Sequence, residues 1–222
     1  MARLYHKPTV AALVSGGIES AALIQRLARR GATVQPLYVR QGFRWEAVEQ
    51  ARLKRLLREW PRQQVTPLVA LDAPARSFAP RHWALGRGPA PGPRSADQAM
   101  YLPGRNLFLY LAAGVWCAQH GIRTIVHGTL VTNPFGDASP DFFRGMSFVL
   151  TRGLGVRFRL EAPLRRLTKR DVIRRLTPQL LRLTFSCINP QQRLHCGRCN
   201  KCAERHRAFR AARLPDPTSY NV

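Results

Sequence analysis

Two short stretches carry residues whose types and spacing suit chemistry. One is Ser15-Gly16-Gly17-Ile18-Glu19-Ser20, and the other is Cys187 followed by Cys196-Gly197-Arg198-Cys199-Asn200-Lys201-Cys202. In the first, two adjacent glycines allow a sharp turn and let a ligand reach the backbone without a Cβ in the way. A helix starting just beyond them leaves N–H groups unpaired, so the turn is an anion cradle. The serines add hydroxyl donors, and Glu19 puts a carboxylate where a phosphate-bound Mg²⁺ would sit. Pyrophosphate suits it best, because no Lys-Ser/Thr follows the glycines as in a P-loop nucleotidase and the third spaced glycine of a dinucleotide fingerprint is missing. A tight strand-to-helix turn alone could also require Gly-Gly.

The cysteines follow a C-x8-C-x2-C-x2-C spacing. Two-residue gaps place thiolates on one ion, and Gly197 permits the knuckle turn. Tetrahedral Zn²⁺ is the expected ion, with an iron–sulfur cluster as its rival. Four thiolates close the coordination shell, so a zinc held this way is structural and has no open position for water. His195 and His206 flank the cluster and are expected beside the ligands or at the surface, not as ligands. The fifth cysteine, Cys117, lies among Leu109, Leu111 and Val115 and reads as a buried, inert thiol.

The elements that must position these groups follow from the hydrophobic pattern. An apolar run over 10–14 predicts a strand, and 20–30 a helix. A second strand is expected over 33–39 and a helix over 44–60, where Ala47, Ala51, Leu53, Leu56, Leu57 and Trp60 recur at three-to-four spacing as a core stripe. A third strand over 65–71 completes a βαβαβ order, which argues for a parallel sheet covered by helices. The stretch 85–95 is too rich in Gly and Pro for either element and reads as a mobile loop or lid. A helix over 106–120, a strand over 122–127 and a helix over 142–152 resume the alternation. Before the first of these, Tyr101-Leu102-Pro103-Gly104-Arg105-Asn106 is either a Pro-Gly turn with an Asn cap or a means of bringing Arg105 to nucleotide phosphates. Thr168-Lys169-Arg170-Asp171 reads as a capped helix start without chemistry.

At 222 residues and 25.1 kDa the chain is expected to be one α/β unit, 1–222, whose stretch 186–222 is a zinc-binding appendage. No apolar run of about 18 residues occurs, and Met1 to His6 lead into the first strand without a signal-like region. A cytoplasmic, soluble protein with no membrane partner is expected. The formal net charge is +24, carried almost wholly by Arg. Scattered along every segment, these residues fit a nucleic-acid partner and a solvated surface equally.

Ser-Gly-Gly-Ile-Glu-Ser resembles the PP-loop of the ATP pyrophosphatase superfamily, and the chain as a whole resembles the 7-cyano-7-deazaguanine synthase (QueC-like) family. The matching residues run in order: Gln41 with Glu46, Tyr101 through Asn106, Pro163-Leu164 before Thr168-Lys169, Ser186-Cys187 with the other three cysteines, and Asp216-Pro217-Thr218 with Tyr220. The resemblance implies a Rossmann-like parallel sheet of the PP-loop ATP pyrophosphatase type, with ATP across the carboxyl ends of the strands. The implied chemistry is activation of a small-molecule carboxylate. The acid attacks the ATP α-phosphate, pyrophosphate leaves into the loop, and ammonia displaces AMP to give an amide, which a second activation turns into a nitrile. By the same resemblance Ser15, Gly16, Gly17, Ile18 and Ser20 would bind the nucleotide, Glu19 would hold Mg²⁺, and Arg105 would offset charge developing on the phosphates.

Two departures stand out. The family usually has Asp where this chain has Glu19. Its polar Asp-Tyr-Ser-Gly-Tyr-Pro-Asp-Cys-like segment is replaced by Thr132 to Asp141, in which Asp137 and Asp141 are expected to keep part of the acceptor role. Two other functions stay open: a PP-loop enzyme adenylating a tRNA base, and a catalytically silent relative that binds nucleotide or nucleic acid. A homodimer is open as well.

Overall fold

The computed structural model describes residues 8–221. Five strands, β1 (Thr9–Leu13), β2 (Thr33–Arg40), β3 (Val69–Asp72), β4 (Thr124–His127) and β5 (Arg159–Glu161), form one sheet in the order β3-β2-β1-β4-β5. Every pairing is parallel, with Thr9 beside Thr33 and Leu13 beside both Leu37 and His127. The helices are α1 (Ile18–Arg29), α2 (Glu46–Leu57), α3 (Arg105–Gln119), α4 (Pro140–Leu154), α5 (Lys169–Ile173), α6 (Pro178–Leu183) and α7 (Asn200–Ala212). This is the expected α/β architecture.

A sheet covered on both faces needs apolar residues on both sides of each strand, which is why β1 and β2 read as runs and not as alternations. Ala12, Val34 and Tyr38 join α1, α5, α6 and α7 in one core. Ala11, Leu13, Leu37 and Val39 join α3 and α4 in the other. A third cluster packs Phe43, Trp45 and Phe185 around the four C-terminal cysteines.

Three expectations change. The third strand does not run over 65–71: Val65 makes only an isolated bridge to Val34, and the strand begins at Val69. Pro67 lies between them and has no N–H for the ladder. In α2 the buried side is Glu46 with Leu53 and Leu56, while Ala47 and Ala51 face outward. The inward ridge therefore continues as carboxylates toward the end of the sheet. The stretch 85–95, read as a mobile loop or lid, is tied down: Asn200 donates to the carbonyls of Pro91 at 2.9 Å and Ser95 at 2.8 Å, and Arg44 to that of Gly88 at 2.7 Å.

Among the described residues, no helix is long and apolar enough to cross a membrane. Met1 to His6, on which the expectation about a leader rests, lie outside the described residues.

Candidate active site

The sheet order reverses around β1, whose neighbours are β2 on one side and β4 on the other. The crevice beyond the carboxyl ends of β1 and β4 is the general ligand position of such sheets, and the Ser15–Ser20 turn lies there. Gly16 has φ +85°, and a Cβ on it would come within 3.2 Å of the Leu53 Cβ, so both backbone and space demand glycine. Its carbonyl accepts the Phe185 N–H at 2.8 Å. A trans peptide therefore aims the Gly17 N–H the other way. Gly17 is the extended N-cap of α1. A Cβ there would lie 3.4 Å from Glu19 Oε2 and 3.7 Å from Ser15 Oγ, filling the space those groups border. That open backbone at a helix start fits an anionic phosphate group. Ser20 Oγ accepts the Ser15 N–H at 3.0 Å and so braces the turn. Ile18 is buried in the core beneath it.

Two connected cavities open from the turn. The smaller, about 280 Å³, runs along the ends of β1 and β2 between Leu13, Leu37, Val39 and Leu109. The larger, about 610 Å³, is a groove between the loop after β4 and the walls formed by α5 and α7. Ser15, Glu19, Arg105, His127 and Gly128 border both.

Charged groups converge on this junction from distant parts of the chain. Lys169 Nζ, at the start of α5, lies 3.0 Å from Glu19 Oε1 and also contacts the Glu204 carboxylate of α7. Lys201 pairs with the other Glu204 oxygen at 2.7 Å. Burial opposes the charge on Lys169, but the two carboxylates outweigh it and hold the ammonium protonated well above its ordinary range. Burial likewise opposes ionisation of Glu204, yet the two lysines depress it to about 2.

Arg105, the first residue of α3, donates from Nε to Gln41 Oε1 at 2.9 Å and lies over the Phe43 ring, 5.3 Å from its centroid. Gln41 is itself fixed, since its N–H, like that of Gly42, donates to the Glu46 carboxylate. Arg105 thus borders the cleft, and the expected Asn cap is corrected: Gly104 is the N-cap of α3, while Asn106 lies inside the helix and donates to the Asp137 carbonyl at 2.9 Å. His127, at the end of β4, pairs through Nδ1 with Thr129 Oγ1 at 2.8 Å. Burial and the Arg105 charge hold its imidazole down to about 4, so it is neutral at pH 7.

The four cysteine sulfurs lie within 4.8 Å of one another and are buried. Cys187 and Cys199 are 3.8 Å apart, the edge expected for a tetrahedron with Zn–S bonds of about 2.3 Å. Backbone N–H groups of Asn189 and Cys196 point at the Cys187 sulfur and that of Cys199 at the Cys196 sulfur. Gly197 turns the chain at φ +70°. This donor set fits one zinc ion with no further ligand. His195 accepts the Ser186 N–H on Nε2 at 3.1 Å, and His206 stacks on Tyr220, so neither competes for the metal. The Asp216-to-Tyr220 motif closes over the segment, with Asp216 accepting from the buried Arg205 at 3.3 Å and from the Tyr220 hydroxyl.

Sequence reasoning missed Lys169. Thr168 and Asp171 form the expected capping box, but Lys169, the first of the two residues between them, points into the cleft. The only sequence signal for it was its place in the Pro-Leu…Thr-Lys stretch of the family resemblance. Glu49, Tyr38, His127 and Glu204 were also missed. Asp137 borders the smaller cavity, whereas Asp141 is exposed on α4 and paired with Arg144, so the two acids expected to share a role are separated. Cys117 is buried and its thiol is pushed up to about 12 by burial, as an inert core residue should be.

The sequence model of the family described as "Queuosine biosynthesis protein QueC" matches residues 9–213. The chain is 31% identical over 229 residues to the 7-cyano-7-deazaguanine synthase of Anaeromyxobacter sp. (strain Fw109-5), covering 96% of this chain and 97% of that one. It is 30% identical over 226 residues to the 7-cyano-7-deazaguanine synthase of Thiobacillus denitrificans, covering 96% and 99%. Among solved structures, a 4-thiouridine synthetase in complex with RNA and ATP matches 93% of this chain and 50% of that one. Its TM-score of 0.49 and 15% identity make it too distant to bear on chemistry.

Proposed function

This chain belongs to the QueC family of queuosine biosynthesis proteins, and from that premise we propose that it is an ATP-dependent carbon–nitrogen ligase. Its acceptor is the carboxylate of 7-carboxy-7-deazaguanine, which it joins to ammonia to form an amide or, after a second activation, a nitrile. The relatives it matches almost end to end carry the name of that synthase. The observation that carries the reading is the convergence of the Ser15–Ser20 turn, Arg105 and Lys169 on one cleft at the carboxyl end of the sheet.

Ser15, Gly16, Gly17, Ile18 and Ser20 form the turn that receives the pyrophosphate. Arg105 and Lys169 offset the negative charge that develops as it leaves. Glu19 would hold Mg²⁺ on the phosphates, exchanging its partner Lys169 for the ion. Cys187, Cys196, Cys199 and Cys202 would hold one structural zinc in the stretch 186–222 of a single α/β unit. The chain is expected to work in the cytoplasm.

The test is incubation of the purified protein with 7-carboxy-7-deazaguanine, ATP, Mg²⁺ and ammonium, followed by mass spectrometry of the base. Appearance of the amide or nitrile together with AMP is the expected result. ATP cleavage that needs tRNA and leaves the deazaguanine unchanged would overturn the substrate.

A further inference from the structure

We propose that Glu49, held by Tyr38, is the specificity-determining residue of the smaller cavity and accepts a hydrogen bond from the amino edge of a purine-type base. The inference rests on the preceding reading, in which ATP and a 7-deazaguanine acid meet in this cleft. Two bases are then candidates for the cavity, and both present such an edge: adenine through its exocyclic amine, the deazaguanine through its ring N–H and exocyclic amine.

The cavity has the right walls. Leu13, Leu37, Val39 and Leu109 make its sides apolar, and the anion cradle stands at its rim. A small slot with apolar side walls and fixed polar groups at its edges suits a flat heteroaromatic ring with hydrogen-bonding edges. A base seated there would aim its phosphate or carboxylate substituent toward the Ser15–Ser20 turn.

Four carboxylates border this slot, and three are engaged. Glu46 accepts from the backbone of Gln41 and Gly42, Glu19 is paired with Lys169, and Asp137 draws on the backbone of Asn106. Glu49 differs. One oxygen, Oε2, accepts the Tyr38 hydroxyl at 2.6 Å, and the other has no hydrogen-bond partner among the described residues while the side chain lines the cavity. Since Tyr38 spends its proton on Glu49, the pair as it stands offers the ligand an acceptor. A base with an N–H edge satisfies it, and one with only ring nitrogens leaves a buried acceptor unpaired.

Burial pushes the Glu49 carboxyl up to about 7, against the opposing effects of the Tyr38 hydroxyl and the Arg105 charge. The groups facing it are Tyr38 on β2, Glu46 one turn away on α2 and Arg105 on α3, with Glu19, His127 and Lys201 across the cavity. The ionised form is the acceptor, so preference for an amino edge should strengthen as pH rises through neutrality.

Calorimetric binding to the full chain tests this with two ligand pairs, at pH 6 and pH 8. ATP is compared with purine riboside triphosphate, which lacks the amine but carries the same phosphates. 7-Carboxy-7-deazaguanine is compared with its 2-desamino analogue. The wild type should prefer the amino-bearing member of one pair by about tenfold or more, more strongly at pH 8. Glu49→Gln should reduce that preference to about twofold without lowering the melting temperature. Tyr38→Phe should keep it but move its pH dependence upward, because the hydroxyl helps Glu49 ionise. The pair that responds identifies the base. If only the ATP pair responds and the deazaguanine acid does not bind, the acceptor assignment fails while the role of Glu49 stands. No preference in either pair, or a preference undiminished in Glu49→Gln, overturns the inference.

Discussion

Lys169 sits between two carboxylates at the mouth of the phosphate cradle, so its removal should be felt in chemistry more than in folding. Lys169→Met should lower acid-dependent AMP release by about 10²-fold, the usual scale for losing one preorganised electrostatic contact, and Lys169→Arg should recover part of it. An unchanged rate in the Met variant would remove Lys169 from the reaction. Glu19→Gln should bind ATP but fail in Mg²⁺-dependent turnover, with Glu19→Asp active; full turnover in the Gln variant would exclude a metal role. Glu49 gives a pH signature in stability. Because burial raises its carboxyl to about 7, the folded chain keeps a proton that the unfolded chain releases. Its contribution is therefore intact at low pH and is lost as pH climbs from the ordinary carboxylate range through 7. The melting temperature of Glu49→Gln should rise relative to wild type between pH 5 and pH 8, and a constant difference would contradict the burial argument. The cradle was legible in the sequence because turn, glycines and carboxylate are contiguous. Lys169, Glu49 and His127 were not, since each acquires its partners from segments that only the fold brings near.

The C-terminal helix shows how a structural metal can matter to a distant reaction. α7 begins next to Cys199, carries Cys202 back to the cluster, and projects Lys201 and Glu204 into the cleft while Arg205 enters the core. The purified protein should contain about one zinc per chain. Cys199→Ser should lose it and become poorly folded, since structural zinc contributes on the order of 10 kcal/mol of apparent binding energy. Iron and sulfide in place of zinc would refute this. At the other end of the cleft, Gly17→Val should weaken ATP binding by blocking the backbone approach, whereas Gly16→Ala should chiefly lower the melting temperature through its positive φ and the contact with Leu53. Equal ATP affinity in Gly17→Val and wild type would argue against the cradle. Element order was readable from periodicity. The error in β3 came from weighing apolar content over Pro67, and the error in α2 from treating alanine as evidence of burial when the inward face also carries acids that serve the cavity.

Across the whole molecule, the parallel sheet brings the ends of β1 and β4 together with the starts of α1, α3 and α5, so that a cradle, an arginine and a lysine from well-separated segments share one cleft. The net charge of +24 is far larger than the few cations at that cleft require, so most of it belongs to the rest of the surface. The central claim is that the acceptor carboxylate attacks the α-phosphate of ATP. Supplying 7-carboxy-7-deazaguanine labelled with ¹⁸O in its carboxylate, with ATP, Mg²⁺ and ammonium, tests this directly by mass spectrometry of the released nucleotide. Each AMP released should carry one ¹⁸O atom, so that one labelled AMP forms for each acid converted to the amide and two for each converted to the nitrile. Label recovered in inorganic phosphate alongside ADP, or AMP formed without label, would contradict it.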